Sequence, residues 1–243
     1  TTLIAILATC LSAQWKIAFA AFTGKAANVL RQKLLRSGVC LDPHYCGTIH
    51  GLIYDPVVDP TTEVVTAWQR KTSVPYNLIV VDEASMVDQE IWKDLTSYGR
   101  KILAIGDHGQ LPPIGPSRVN LMASPQLRLE QIHRQAHGNS ILEYATHVRL
   151  GGSGSRFDAA DGRVRIVAAN GNTQQAVREA LDPSLDPLDQ AVLCYTNNMR
   201  CRLNRTIAQH LSGPKYSVSP GQVVVCLRNT RVGRIGIWNG MRG

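Results

Sequence analysis

The chain of 243 residues lacks any apolar run long enough to cross a bilayer, which takes about 18 residues. The longest candidate, residues 3–11, is shorter and is interrupted by Thr9. The opening 22 residues lack both the basic start and the small-residue cleavage site of a signal peptide. The sequence therefore argues against an integral membrane protein and against a secreted one.

The six cysteines lack a C-x-x-C pair and the regular spacing of a disulfide framework. We therefore expect reduced thiols in a cytoplasmic protein. Cys40, His44, Cys46 and His50 offer zinc-binding groups within eleven residues, but their spacing matches none of the usual zinc fingers. A loop with small buried thiols is the alternative that we favour.

Acidic residues are missing from both ends of the chain. Residues 1–41 carry five Lys or Arg and no Asp or Glu, and residues 190–243 carry eight and none. Residues 42–189 carry thirteen basic and eighteen acidic side chains. Basic segments are typical of nucleic-acid binding, and a local acidic surplus suits a divalent-metal site. A solvated basic surface without a ligand is the alternative.

Short apolar runs without alternation predict strands buried on both faces of a parallel sheet, at residues 17–21, 78–81 and 102–105. Helical spacing between these runs predicts helices at residues 25–36 and 86–98. Alternating strands and helices indicate a doubly wound α/β layer, in which ligands bind at the carboxyl ends of the strands.

Residues 53–73 interrupt this alternation. Two β-rich arms flank the turn Asp59-Pro60-Thr61-Thr62, which predicts an inserted β-hairpin. Trp68 in the second arm is interpreted as packing within the hairpin.

The second half of the chain predicts another α/β unit after a helix at residues 139–150 and a glycine-rich linker at 151–154. The predicted strands and helices of that unit are strands 164–168, 191–195 and 222–227 and helices 173–181 and 198–211.

An acidic pair, Asp82-Glu83, follows the predicted strand 78–81. One carboxylate at such a strand end can hold Mg²⁺ beside nucleotide phosphates, and the next can orient an attacking water. An Asp-Glu pair that caps a helix is the alternative. Residues 106–113 follow the next strand, where a polar side chain can sense a γ-phosphate and Pro112-Pro113 fix the loop backbone.

At this point the sequence resembles superfamily 1B helicases, the RecD-like and Dda-like branch, along nearly its whole length. Thr23-Gly24-Lys25-Ala26-Ala27 and Thr48-Ile49-His50 resemble the family's DNA-contact motifs. Asp82-Glu83-Ala84-Ser85 resembles its Walker B motif, and residues 106–113 resemble its motif III. Residues 129–135 resemble the segment that supplies the arginine finger, and residues 193–197 and 237–240 resemble motifs of the second domain.

The resemblance implies an α/β protein with two RecA-like domains built on parallel sheets, the first carrying the hairpin and the second truncated. The implied boundaries are 1–135 for the first domain with its hairpin at 53–73, 136–155 for a connecting helix and hinge, and 156–243 for the start of the second domain.

The implied activity is an ATP-dependent DNA helicase that uses ATP and Mg²⁺ to move 5′ to 3′ on single-stranded DNA and to unwind duplex junctions. The hairpin would be the pin that splits the duplex, and replication or recombination proteins are possible partners. The alternatives are the helicase portion of a relaxase or exonuclease complex, and a non-catalytic nucleic-acid-binding module.

The resemblance also assigns roles to single residues. Thr1 and Asp82 would hold Mg²⁺, Glu83 would position water, Gln110 would sense the γ-phosphate, and Arg134 would stabilise transition-state charge from across a domain cleft. With Thr2, these residues form the implied nucleotide site. The implied nucleic-acid contacts are Thr23, Gly24, Lys25, Thr48, His50, Pro112, Pro113, Thr196 and Asn197. A structural histidine at position 50 and a salt-bridge arginine at position 134 are the alternatives.

The sequence departs from the family pattern at both ends. It begins with Thr1-Thr2 rather than with a glycine-rich loop ending in Gly-Lys-Thr, and Lys25 lacks the spacing of that loop. It stops at Gly243 before the family's T-x-H-x-x-Q-G motif. We therefore expect an incomplete helicase core that does not turn over ATP as given.

Overall fold

A computed structural model describes most of the chain. The described residues are 2–61, 65–110, 113, 121–129, 139–155, 157, 159, 161–168, 171–182, 184–186, 189–212, 223–227, 230–232 and 235–237. Contacts group the chain into two compact units, residues 1–129 with 225–243 and residues 130–224. The boundaries proposed above for two RecA-like domains stay predictions. No helix in the described ranges is long and apolar enough to cross a membrane.

The first unit alternates helices and strands up to residue 104. Its elements in chain order are α1 (Thr2–Leu11), β1 (Ile17–Ala21), α2 (Gly24–Arg36), β2 (Tyr45–Thr48), α3 (Ile49–Ile53), β3 (Tyr54–Val58), β4 (Val65–Arg70), β5 (Leu78–Asp82), a 3₁₀ helix (Ala84–Met86), α4 (Gln89–Thr96) and β6 (Lys101–Ala104).

Four of these strands form a parallel sheet in the order β2-β1-β5-β6. The prediction of a parallel α/β sheet is confirmed, with β1 at the predicted bounds and β5 and β6 within one residue of them. All five residues of β1 are buried, because the strand has a neighbour on each side and helices over each face.

The two faces of the sheet bury alternate side chains of the same strands. Phe19 and Val80 face a core that includes α1 and α2 side chains, whereas Ala20 and Val81 face one that includes α3 and α4 side chains. The first core takes Ile4 and Ala8 from α1 and Leu30 and Leu34 from α2; the second takes Ile49 and Ile53 from α3 and Ile91 and Leu95 from α4.

The predicted helix at 25–36 is confirmed, and it begins one residue earlier, at Gly24. The predicted helix at 86–98 is wrong in its start. Asp88 accepts a hydrogen bond from the backbone N–H of Ile91 at 2.9 Å, and this cap begins α4 at Gln89. The sequence interpretation also missed α1, whose nearly continuous apolar character hides a helical period.

Strands β3 and β4 pair antiparallel within residues 53–73, where Tyr54 lies opposite Arg70. The ladder shifts its register between Val57 and Val58. Nearly every residue of both strands is exposed. The pair therefore projects from the parallel sheet rather than extending it.

The second unit contains the predicted helices as α5 (Ser140–Arg149), α6 (Thr173–Ala180) and α7 (Asn197–Ser212). The predicted strands 164–168 and 191–195 are wrong, because those residues join no sheet. Leu193 and Tyr195 are 93% and 94% exposed, so within the described part of the chain this run has neither a ladder partner nor a covering layer. The predicted strand 222–227 is also wrong, because among its described residues, 223–227, only Val225 forms a bridge. A short antiparallel pair, β7 (Thr230–Val232) and β8 (Ile235–Ile237), belongs to the part of the chain that groups with the first unit.

The glycine-rich segment after α5 folds back on that helix. The Tyr144 hydroxyl donates to the Gly154 carbonyl at 2.9 Å, and the Phe157 ring lies 5.1 Å from the Tyr144 ring. A Cβ at Gly152 would collide with the His147 ring, so this close approach needs glycine. The hinge role proposed for the segment stays a prediction.

Candidate functional site

One row of residues joins the carboxyl ends of three strands. Ala21, the last residue of β1, pairs with Thr48 of β2 on one side and with Asp82 of β5 on the other. Thr23 follows Ala21 by two residues. Two of the predicted DNA-contact threonines, Thr23 and Thr48, and the predicted acidic pair therefore lie at the same edge of the sheet, where α/β proteins bind ligands.

The acidic pair forms a tight turn at the end of β5. The Asp82 Oδ1 atom accepts a hydrogen bond from the Glu83 backbone N–H at 3.2 Å. Glu83 has φ 56° and ψ 42°, which makes it the one non-glycine residue with positive φ in the described ranges. A left-handed backbone at such a residue costs on the order of 1–3 kcal/mol, and this strain is typical of functional turns. The side chain of Glu83 does not cap the following 3₁₀ helix, so a purely capping role is not what the geometry supports.

The strand β6 holds this turn in place. The Ala84 N–H donates to the Ile105 carbonyl at 2.9 Å, and the Ile105 N–H donates to the Val81 carbonyl at 2.8 Å. A Cβ at Gly106 would lie 2.8 Å from the backbone nitrogen of Ser85, which is closer than real Cβ atoms approach. Only glycine fits this contact without a shift of the turn.

Gln110 lies in the loop that follows β6. The Asp107 carboxylate accepts from the Gly109 N–H at 2.9 Å, and the Asp107 carbonyl accepts from the Gln110 N–H at 3.1 Å. This turn leaves the Gln110 side chain exposed, while Pro113 is buried. The γ-phosphate role of Gln110 stays a prediction.

Three of the predicted DNA-contact residues begin helices. The Oγ1 atoms of Thr23, Thr48 and Thr196 accept backbone N–H bonds at 3.2, 3.1 and 3.2 Å, from Ala26, Gly51 and Met199 respectively. This capping role was missed, although a threonine directly before a helical segment is its usual signal. The hydroxyl hydrogens stay available, and backbone N–H groups at the start of α2 favour an anion.

Gly24 and Lys25 occupy the exposed first turn of α2. A Cβ at Gly24 would meet nothing within 4 Å, so the surface here is open. Asn197 is likewise exposed, as the first residue of α7.

His50 lies in a group of four rings next to Thr48. Its imidazole centroid is 6.4 Å from Phe22, 5.6 Å from Tyr54 and 6.4 Å from Trp68. Trp68 is 56% exposed. The sequence interpretation of Trp68 as packing within the hairpin is therefore incomplete, because its indole also contacts α3. We name His50, Phe22, Tyr54 and Trp68 the aromatic group.

The four side chains considered for zinc have other contacts. His44 Nδ1 accepts from the Ile17 backbone N–H at 3.1 Å, and the Cys40 thiol donates to the Asp42 carbonyl at 3.4 Å. Burial raises the pKa of the Cys46 thiol to about 11, which favours the protonated form over the metal-binding thiolate. Within the described residues no three His, Cys, Asp or Glu side chains group as a metal site. None of the six cysteines, all of which lie in the described ranges, forms a disulfide.

The acidic turn suits a Mg²⁺ site that is completed by nucleotide phosphates better than a metal site formed by protein ligands alone. Asp82 supplies carboxylate oxygen, the ligand type that Mg²⁺ prefers, and Glu83 supplies a second carboxylate next to it. Mg²⁺ beside phosphates is usually held by only one or two carboxylates, so a site without a third carboxylate is consistent with it.

Three predicted site residues, Thr1, Pro112 and Arg134, lie outside the described residues. Thr2 is the exposed first residue of α1. The roles assigned to these four residues stay predictions.

A family model described as an AAA domain matches residues 1–181, about three quarters of the chain. The chain belongs to this AAA domain family.

Two relatives of this AAA domain protein match a short part of it. The chain is 36% identical over 77 residues to the ATP-dependent RecD2 DNA helicase of Deinococcus radiodurans, and 36% identical over 78 residues to the uncharacterized protein R530 of Acanthamoeba polyphaga mimivirus. These matches cover 29% and 28% of the chain but 11% and 16% of the relatives. The chain thus spans a small fraction of the length of either relative.

Two solved structures are also similar to the AAA domain protein. The crystal structure of Bacteroides Pif1 bound to ssDNA matches 43% of this chain and 31% of its own, with 19% identity and a TM-score of 0.22. A double mutant of the Bacteroides Pif1 helicase matches 94% of this chain and 64% of its own, with 15% identity and a TM-score of 0.37.

Proposed function

We propose that this AAA domain protein is an ATP-dependent DNA helicase that couples ATP hydrolysis to translocation on single-stranded DNA and to duplex unwinding. The observation that carries the proposal is the row Thr48–Ala21–Asp82. It brings an acidic turn suited to a magnesium nucleotide and a basic, aromatic surface suited to DNA to one edge of one sheet.

The acidic turn is the nucleotide side of this edge. With ATP bound, Mg²⁺ supplies charge neutralisation at the phosphates. Asp82 would hold the metal, Glu83 would accept the proton of the attacking water, and Gln110 would contact the terminal phosphate. Thr1, Thr2 and Arg134 complete the proposed set. The strained backbone of Glu83 supports this assignment, because such strain is typical of functional turns.

The DNA side of the edge uses charge and ring faces. Lys25 is exposed at the start of α2, where the ammonium group and the backbone N–H groups both attract a phosphate. The exposed indole of Trp68 beside His50 offers a surface on which a base can stack. Gly24 leaves room for the strand, and Thr48, Pro112 and Pro113 are the other contacts proposed in the first unit. Thr196 and Asn197 are proposed contacts of the second unit.

The named relative supports the same assignment. The RecD2 protein is called an ATP-dependent DNA helicase, and it shares 36% identity over 77 residues. We further propose that the protein moves from 5′ to 3′ and acts at duplex junctions. Its proposed partners are replication or recombination proteins.

The deciding experiment measures ATP hydrolysis by the full-length protein with and without single-stranded DNA. Glu83→Gln should lower DNA-stimulated turnover by roughly 10²-fold or more, since a positioned base contributes on that scale, while nucleotide binding persists. Glu90→Gln is the matched control, because Glu90 is an exposed acid in the first turn of α4 to which no role in the nucleotide site is assigned.

If the wild-type protein hydrolyses ATP no faster than the Glu83→Gln variant but binds DNA tightly, the protein is a nucleic-acid-binding module without a motor. Loss of turnover in Glu90→Gln as well would point to a folding defect rather than to chemistry.

A further inference from the structure

The hairpin formed by β3 and β4 has no core of its own. Almost all residues of both strands are exposed, and an isolated two-stranded hairpin is marginally stable in water. Its direction must therefore be set by the contacts at its base.

A single carboxylate contacts both strands of that base. The Tyr54 hydroxyl donates to Asp94 Oδ2 at 2.5 Å, and an Arg70 guanidinium nitrogen lies 3.6 Å from Asp94 Oδ1. Tyr54 and Arg70 are themselves opposite each other in the antiparallel ladder. The two oxygens of Asp94 thus bind one strand each.

The end of α4 and the residues after it add further contacts at the same place. Arg70 donates to the Ser97 hydroxyl at 2.9 Å, and its guanidinium lies 5.3 Å from the centre of the Tyr98 ring. The Tyr98 hydroxyl shares its one hydrogen between the carbonyls of Ile53 and Lys71, at 3.1 and 2.8 Å. Those two carbonyls lie directly before β3 and directly after β4.

Helix α4 is itself held by the core of the sheet. Its Ile91 and Leu95 are buried with Ile79 and Val81 of β5, the strand that ends in the acidic turn. The cap residue of α4, Asp88, follows Glu83 by five residues. The contacts of Asp94 therefore link the hairpin to the element that follows the proposed catalytic turn.

We propose that Asp94 is a positioning residue that fixes the hairpin on α4, so that the hairpin meets the duplex at a constant place during translocation. This inference rests on the proposed helicase function for its consequence, but the anchoring itself does not require it. Burial and the hydrogen bond to Asp94 raise the pKa of Tyr54, so the phenol stays a donor at neutral pH.

The first test measures anchoring alone, by amide hydrogen exchange of residues 54–58 and 65–70 in the full-length protein. Asp94→Ala should speed exchange there by about tenfold or more, the scale of a lost hydrogen bond to a charged group. Asp55→Ala is the matched control: Asp55 also lies at the hairpin base and forms an ion pair with Lys71 at 3.6 Å, but that pair does not involve α4. Equal exchange in Asp94→Ala and Asp55→Ala would overturn the anchoring.

The second test compares DNA-stimulated ATP hydrolysis with unwinding of a forked duplex in the same variants. Asp94→Ala should lower the number of base pairs opened per ATP hydrolysed while ATP turnover stays within about twofold, because the residue touches neither the acidic turn nor the exposed face of Trp68. Asp55→Ala should keep the wild-type ratio. A wild-type ratio in Asp94→Ala would overturn the positioning role.

The two tests separate the two proposals. If the wild-type protein hydrolyses no ATP, the helicase proposal fails while hydrogen exchange still decides the anchoring. If Asp94→Ala does not fold, Tyr54→Phe decides both tests, because it removes one hydroxyl and leaves the partly buried ring. Faster hairpin exchange and a lower unwinding ratio in Tyr54→Phe support the proposal, and wild-type values contradict it.

Discussion

The imidazole of His50, on α3, lies against the indole of Trp68, on β4, with ring centroids 6.4 Å apart and planes inclined at 65°. Thr48, which caps α3, lies two residues before His50 at the carboxyl edge of the sheet. This edge-on contact joins the projecting hairpin to the edge that carries the acidic turn. More than half of the Trp68 surface is left open beside it.

The open face of Trp68 predicts a role in base stacking. Trp68→Ala should weaken binding of single-stranded DNA by about 1–3 kcal/mol, the usual contribution of one stacked base. Titration of a labelled oligonucleotide measures the change, and Trp68→Phe should recover part of it. Gln69→Ala is the control, because this exposed neighbour points to the other face of the strand. Unchanged affinity in Trp68→Ala would leave the aromatic group with a packing role only.

The exposed ammonium of Lys25 predicts a phosphate contact. Lys25→Ala should reduce the slope of log Kd against log salt by about 0.7, the value for one phosphate on a single strand. Binding measured across a salt series gives the slope directly. Lys93→Ala removes an exposed lysine on α4 and should leave the slope as it is in the wild type. Equal slopes in wild type and Lys25→Ala would remove Lys25 from the interface.

The contact between Gly106 and Ser85 predicts that alanine destabilises the protein more at Gly106 than at Gly24. Gly106→Ala should destabilise the protein by about 1–3 kcal/mol, because the new methyl group meets a backbone atom that cannot move without disturbing the turn at Glu83. Gly24→Ala should cost much less, because the space there is open and the residue begins a helix. Urea unfolding of the two variants makes the comparison, and equal losses would contradict it.

The hydrogen bond from Ile17 to His44 predicts a pH dependence of stability. Burial lowers the pKa of His44 below its ordinary 6.5, with an opposing effect of Asp42 and a further lowering by Lys16. The unfolded chain therefore binds a proton more readily than the folded one. The stabilisation is present above about pH 6.5 and is lost as the pH falls through the lower folded-state pKa.

Urea unfolding at about pH 7.5 and about pH 5 measures this loss. His44→Gln, which cannot take up a proton, should show a smaller difference between the two conditions. An equal difference in wild type and His44→Gln would assign the acid sensitivity to other groups.

Local structure was predictable wherever neighbours in the chain decide it. The strands β1, β5 and β6 follow from short apolar runs, and α2 follows from its helical period. The same reasoning failed at residues 191–195. An apolar run becomes a strand only when a partner strand and a covering layer are present, and Leu193 and Tyr195 have neither.

The sequence by itself determined that an acidic pair ends an apolar strand, that basic residues collect at both ends, and that a turn separates two β-rich arms. Only the tertiary structure decided that β1 lies between β2 and β5, which brings Thr48 and Asp82 to either side of Ala21. It also decided that Asp94 meets Tyr54, 40 residues away in the chain. The physical reason is that helical hydrogen bonds and caps act between residues a few positions apart, whereas strand order and contacts between distant side chains depend on how whole elements bury their apolar faces together.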